Sequence, residues 1–366
     1  MNHPPDIESW LNLCLIKGLG DESVRRLLVA FGSPNEIFSA NTAALERIIK
    51  KPLVKNLLRG ADTDKISTTL KWLEDPTNSI ITLADPDYPS QLLNIPDPPP
   101  LLYFKGQRKL LNRIALAVVG SRNATPQGLS NAEAFSEAAS NAGLCIISGM
   151  ALGIDTAAHH GGLRGASASI AIVGTGLDIV YPARNHQLAH QLAKNGALIS
   201  EFPLGTPAIG RNFPRRNRII SGMSLACLVV EAALRSGSLI TARQALEQGR
   251  DVLAIPGSIH SPLSKGCHAL IKQGAKLVES TQDILDELNF QSTENSPINT
   301  QESESDSKPS AEDAVLLKLL GYDAVDVDTL CTRSGLTADA VSAMLLTLEL
   351  DGLITSLPGG CYQRIQ

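Results

Sequence analysis

The chain has 366 residues, 43% of them hydrophobic and 19% charged, enough apolar material for more than one core, which excludes a chain disordered throughout. No stretch reaches the roughly 18 to 20 uninterrupted apolar residues of a membrane-spanning helix, and Met1 to Glu8 has neither a basic end nor an apolar signal core, so a cytoplasmic site without a membrane partner is expected. The net charge of -5 conceals an uneven spread: residues 111–290 carry 15 basic and 12 acidic side chains and 291–366 carry 4 and 12, so only the middle of the chain can attract a polyanion, and only through a local cluster.

In chain order, residues 6–75 read as short helices. In WLNLCLIKGLGDESVRRLLVAFGS, apolar residues recur at helical spacing on both sides of Gly18-Leu19-Gly20, and Asp21 suits the N-cap of the second helix, a helix-hairpin-helix pattern. Such a hairpin either presents backbone N–H groups to a phosphate or makes a tight turn in a small bundle. Residues 76–110 are punctuated by proline and read as an extended connector ending in a short strand. From 114 onward, apolar and β-branched runs (IALAVVG, LCIISG, SIAIVG, ALISEF, ACLVVEA, DVLAIPG, KLVES) alternate with helical stretches. That alternation predicts an α/β unit, a Rossmann-like, mostly parallel sheet with helices on both faces. Residues 291–310 are polar, Ser-rich and acidic, the composition of a flexible linker. In 311–366, three helical segments, Thr337 as an N-cap and a Pro358-Gly359-Gly360 turn between two short strands predict a winged helix. The expected division is thus a small helical, SAM-like unit (1–75), the connector with the Rossmann-like unit (76–290), the linker (291–310) and the winged helix (311–366).

Ligands of an open parallel sheet bind beyond the carboxyl ends of its strands. The segments that follow the runs are SRNATPQG, MALGIDTAAHH, TGLDIVYPARN, PLGTPAIGRNFPRRNR, LRSGSLITARQ and SIHSPLSKG, most with glycine beside a helix start, which exposes backbone donors to anions. The candidate binding residues are Gly120, Ser121, Arg122 and Thr125; Ser148, Gly149 and Gly153; Gly174 and Gly176; and Ser236, Gly237 and Ser238. There is no GxxxxGK[ST] segment, and GTGLDI is an incomplete GxGxxG without the acidic residue about 20 positions later, so no nucleotide cofactor is expected. The six cysteines are widely spaced with no CxxC, which argues against a metal site or a disulfide framework. The sharpest feature is RNFPRRNR, where Arg211, Arg215, Arg216 and Arg218 surround Phe213 and Asn217 with no acid among them. One reading is a solvated face paired to Glu201 or Glu231. The other is an arginine groove with interspersed rings, in which phosphates meet guanidinium groups and bases stack, a sequence-tolerant single-strand site. Three of the five aromatics between 111 and 290 (Tyr181, Phe202, Phe213) fall on strand-end segments. Asp155 reads as a helix cap, His159 and His160 as solvated or core residues, and no catalytic set assembles, so a binding surface rather than an enzyme is expected.

Together these segments resemble the DNA-processing protein A (DprA/Smf) family, through VGSRNATPQG, SGMALGIDTAAH, GTGLDIVYPARN, SEFPLGTPAIGRNFPRRNRIISGMS, VVEAALRSGSLITARQALEQGRDVLAIPG and KGCHALIKQGA, continuously over about residues 85–280. The resemblance implies a non-catalytic protein that binds incoming single-stranded DNA during natural transformation, shields it and helps load the RecA recombinase. It also implies a homodimer through the Rossmann-like domain and a DNA pocket of Arg122, Ser148, Gly149, Phe213, Arg215 and Arg218. The chain departs from the family at Arg211, where some members have a lysine shortly before the aromatic, and at His268, where asparagine is usual. The segment TADAVSAMLLTLELDG of the winged helix lacks Lys and Arg, which argues for a protein-interaction or regulatory role over DNA reading. A rival is a nucleotide phosphoribohydrolase of the LOG (lysine-decarboxylase-like) type, whose site carries PGGxGTxxE; here SGSLITARQ puts Gln244 where the glutamate should fall. A small-nucleotide-sensing module is the third reading, and it leaves the arginine run unexplained.

Overall fold

The computed structural model describes residues 6–290 and 311–365; the expected linker at 291–310 lies outside the described residues. Six helices run from Ile7–Cys14 to Thr63–Trp72, and the first five pack Leu13, Leu27, Leu45 and Leu57 into a small core of their own. The helix-hairpin-helix forms, and Gly18 takes the positive φ of +84° that the turn needs. Gly20 rather than Asp21 is the N-cap of the second helix, so Asp21 is its first residue and keeps its carboxylate free for a partner outside the helix.

The connector contains one strand more than its sequence suggests. β1 (Asn78–Thr82) precedes the proline-rich stretch and pairs antiparallel with β2 (Leu101–Gly106), which pairs antiparallel with β6 (Ala197–Ser200). The run is five residues long and fully buried, so it shows neither alternation nor length to distinguish it from the end of the preceding helix. With β3 (Ala115–Val119), β4 (Cys145–Ser148), β5 (Ser169–Ile172), β7 (Ala226–Val229), β8 (Asp251–Ala254) and β9 (Lys276–Leu277), these form a nine-stranded sheet in the order β1-β2-β6-β5-β4-β3-β7-β8-β9. All pairs from β6 to β9 are parallel. Leu116, Val118, Ile146 and Leu228 face the helices Pro126–Asn141 and Ile154–Arg164, while Ala117, Val119, Ile147 and Val229 face Asn212–Gly222 and Ser238–Glu247. Coverage on both faces explains why these strands read as continuous apolar runs. Cys145, Cys227 and Cys267 are buried here, and burial pushes each thiol up to about 12.

The chain leaves β3 toward β4, β5 and β6, then returns to place β7 on the other side of β3. Connections therefore diverge at the carboxyl ends of β3 and β7, the switch point where a doubly wound sheet opens a crevice.

The carboxyl-terminal unit has helices Ala311–Leu320, Val327–Ser334 and Ala338–Leu350 against a small sheet, β10 (Val325–Asp326), β11 (Ile354–Leu357) and β12 (Cys361–Arg364), in the order β10-β12-β11: a winged helix. The Thr337 hydroxyl accepts from Ala340 N at 3.4 Å as the N-cap, and Gly359 and Gly360 turn the hairpin with φ of +91° and +72°. No helix among the described residues is long and apolar enough to cross a membrane.

The closest helix pairing in the sheet's cover depends on Gly161, where an added Cβ would lie 2.1 Å from the Glu133 carbonyl oxygen. Alanine usually gains about 1 kcal/mol over glycine inside a helix, whereas forcing packed backbones apart costs about 1–3 kcal/mol. Gly161→Ala is therefore expected to lower the urea midpoint of the central unit; a raised midpoint would show that these helices separate freely.

Candidate nucleic-acid interface

The arginine run lies on a helix, Asn212–Gly222, with Pro214 in its first turn, where the missing N–H costs nothing. The helical period then sorts the run. Phe213, Arg216 and Asn217 fall on one side and Arg215 and Arg218 on another, with Arg211 at the N-cap. The expectation of a single groove holding all four arginines is corrected on this point: the helix faces two different cavities.

On the first side, Arg216 is 4% exposed, and its guanidinium donates through Nη1 to the carbonyls of Gly149 and Ile172, at the ends of β4 and β5, and through Nε to Asn217 Oδ1 at 3.0 Å. Burial lowers it to about 10, against the opposing pull of Asp155, so it remains a cation at neutral pH. Phe213 sits over Gly174, where a Cβ would come within 3.0 Å of the ring, and Asn212 Nδ2 donates to the Gly174 carbonyl at 3.1 Å. The guanidinium carbons of Arg122 and Arg216 each stand 5.9 Å from the Phe213 ring centre, within reach of a cation–π attraction. Arg122 is exposed and has no acid at ion-pair distance among the described residues. These groups border a cavity of about 560 Å³ at the switch point, closed on its other side by Arg235 and by Ser236, Gly237 and Ser238, where the helix Ser238–Glu247 begins. That helix has no acid in its first turn, so its amino end presents positive potential to the cavity.

On the second side, the side chain of Glu201 is 1% exposed and takes Arg218 at 2.6 Å and Arg215 at 2.9 Å. Arg215 also reaches Asp21 of the hairpin at 2.6 Å, and Arg218 reaches Asp97 at 2.9 Å. These pairs line a separate cavity of about 520 Å³ between the amino-terminal helices and the sheet. The pairing to Glu201 is therefore realised for two of the four arginines.

The other candidates divide in the same way. Gly120 and Ser121 line the first cavity. Ser148 is buried and donates to the Val118 carbonyl at 2.6 Å, and Gly149 adjoins Arg216, where a Cβ would meet the guanidinium at 2.2 Å, so this pair holds the site from behind. The Thr125 hydroxyl donates to Glu231 at 2.6 Å and caps the helix Pro126–Asn141, which leaves no proton for a phosphate. Gly153, at φ +78°, lets the backbone of Ser121 and Arg122 pass close by. Gly176 packs against Asp178 and Pro203, and Arg211 is exposed outside both cavities. Asp155 does not cap its helix, whose N-cap is Gly153; its carboxylate accepts from the N–H groups of Gly149 and Ala151 at 3.1 and 3.3 Å, and burial raises its affinity for a proton. His159 is buried with Nδ1 2.7 Å from Ser169 Oγ, and burial lowers it to about 3, a neutral core residue. Asn123 and Arg235 also border the cavity and are absent from the sequence-derived set. Arg235 was findable: like Arg122, it closely follows a strand and precedes a small-residue turn. Among the described residues, no group of three His, Cys, Asp or Glu side chains could hold a metal ion.

A doubly wound, mostly parallel sheet whose switch point carries cations, a ring and a helix start defines a Rossmann-like protein with a crevice that favours anions. The chain matches the DNA recombination-mediator protein A family over residues 79–289 and the DprA winged helix domain over 300–360, and it belongs to this DprA/Smf family. It is 40% identical to Protein Smf of Escherichia coli over 99% of this chain and 96% of that protein. Among solved structures it is similar to DNA processing protein A of Streptococcus pneumoniae (38% identity, TM-score 0.69, 76% of this chain and 97% of that one). It is also similar to DNA processing protein A of Helicobacter pylori, described for its single-stranded DNA binding mode (29% identity, TM-score 0.53, 57% of this chain and 95% of that one).

Glu201→Ala would leave the buried Arg218 with the half-exposed Asp97 as its main partner and is expected to cost about 3 kcal/mol, the usual result of breaking a buried pair from one side. In unfolding experiments the Glu201→Ala, Arg218→Ala double variant should lose less than the sum of the single losses; strictly additive losses would show no coupling.

Proposed function

We propose that the switch-point rim binds single-stranded DNA by its phosphates and bases and leaves it chemically unchanged. The observation that carries this is Phe213, a half-buried ring beside two guanidinium groups at the lip of a cavity that ends in a helix start. A ring so placed can stack only on a base whose face is uncovered, as in a single strand and not in a duplex. The single-stranded DNA binding described for the Helicobacter pylori relative supports the same ligand. In this proposal the protein protects incoming DNA during natural transformation in the cytoplasm and passes it to the RecA recombinase. It acts as a homodimer through the Rossmann-like domain, on whose surface Leu234, Leu246 and Ile259 remain more than half exposed. The helix Ala338–Leu350 has no Lys or Arg and leaves Leu346 and Leu350 exposed, which supports a protein partner for the winged helix rather than DNA.

Fluorescence anisotropy with a labelled thymidylate oligonucleotide and with a duplex of equal length tests the ligand. Single strands should bind well above duplex, with a log–log salt slope of roughly -2 to -3 for three or four phosphate contacts per subunit. Arg122→Ala should weaken binding and flatten the slope by about 0.7. Phe213→Ala should cost about 1–3 kcal/mol with the slope unchanged. Equal affinity for duplex and single strand, or both variants binding like the unaltered protein, would overturn the assignment.

A further inference from the structure

Phe213 is not the rim's only ring. Tyr181 stands in the segment between β5 and the helix His186–Asn195, 50% exposed, with its ring centre 5.4 Å from that of Phe213 and the two planes 38° apart. Its hydroxyl makes no hydrogen bond among the described residues, so nothing polar accounts for its position. The other exposed tyrosine, Tyr322, differs in having Arg364 over its ring at 4.9 Å. Tyr181 does not border the cavity that Arg122, Arg216 and Phe213 share, so the ring pair carries aromatic surface beyond the cavity's lip. Ser236–Ser238 follow β7, Arg122 follows β3, and Phe213 lies over Gly174 after β5, with Tyr181 further along the same segment. At about 4.8 Å between strands, the span from β7 to β5 is roughly 14 Å, long enough for more than one nucleotide.

We propose that Tyr181 is a second base-stacking platform, taking the base adjacent to the one on Phe213, purine or pyrimidine alike. This rests on the reading of the rim as a single-strand site. Stacking requires only a flat ring, so Tyr181→Phe should keep the affinity for oligothymidylate, whereas Tyr181→Ala should lose about 5- to 150-fold with an unchanged salt slope. A tyrosine that merely propped Phe213 would matter only while Phe213 was present. The decisive comparison is therefore made in the Phe213→Ala background: a further loss of similar size on adding Tyr181→Ala supports an independent platform, and no further loss overturns it. Ultraviolet crosslinking to oligonucleotides containing 5-iodouracil gives a second measurement, with adducts expected on Tyr181 as well as Phe213; adducts on Phe213 alone would count against the proposal. If Phe213→Ala weakens binding while Tyr181→Ala does not, Tyr181 is wrongly assigned and the rim stands. If neither variant weakens binding, the rim itself is wrongly assigned.

Discussion

The rim depends on one buried cation. A guanidinium removed from water costs several kcal/mol unless its donors are met. Arg216 meets that condition by spanning the carbonyls that end β4 and β5, with the Asp155 carboxylate as the nearby countercharge. Bonds to two strand ends set how the helix Asn212–Gly222 is rotated. That rotation turns Phe213 over Gly174 and directs Arg215 and Arg218 away, toward Glu201. Arg122, exposed and without an acid at ion-pair distance among the described residues, then adds a cation to the same rim.

The two sides of this helix do different work with the same residue type. On one, the Arg216 charge is buried beside the Phe213 ring and bonded to strand-end carbonyls. On the other, arginine charge is neutralised by carboxylates of the sheet, the connector and the amino-terminal hairpin. Asp21 is thus a structural partner of the helix Asn212–Gly222, and the hairpin's helix start is turned to a protein cation.

The sheet is legible in the sequence because strands covered on both faces must be apolar throughout, and six such runs, IALAVVG to DVLAIPG, separated by helical stretches admit few other folds. β1 is not, because a buried five-residue run leaves no period to read. At the site, residue types are visible and their sidedness is not. In RNFPRRNR, proline and clustered charge disguise a helix start, and without its period the four arginines appear equivalent. Glycines near helix starts suggest phosphate contacts, yet Gly149, Gly153 and Gly174 serve the close approach of Arg216, the Ser121–Arg122 backbone and Phe213. Thr125 looks like a phosphate donor for a related reason: the acid that takes its hydroxyl, Glu231, lies 106 positions away in the chain.

Gly149 and Gly174 are each a hollow whose peg comes from elsewhere in the chain, Arg216 in one and Phe213 in the other. A methyl group at Gly149 has no room while Arg216 keeps its place, whereas one at Gly174 asks the Phe213 ring to give by a few tenths of an ångström, so the first couple is bound more tightly than the second. Trimming the peg at 216 would make space at 149 but would leave the ends of β4 and β5 untied. What can stand at 149 is therefore tied to what stands at 216, sixty-seven positions further along the chain.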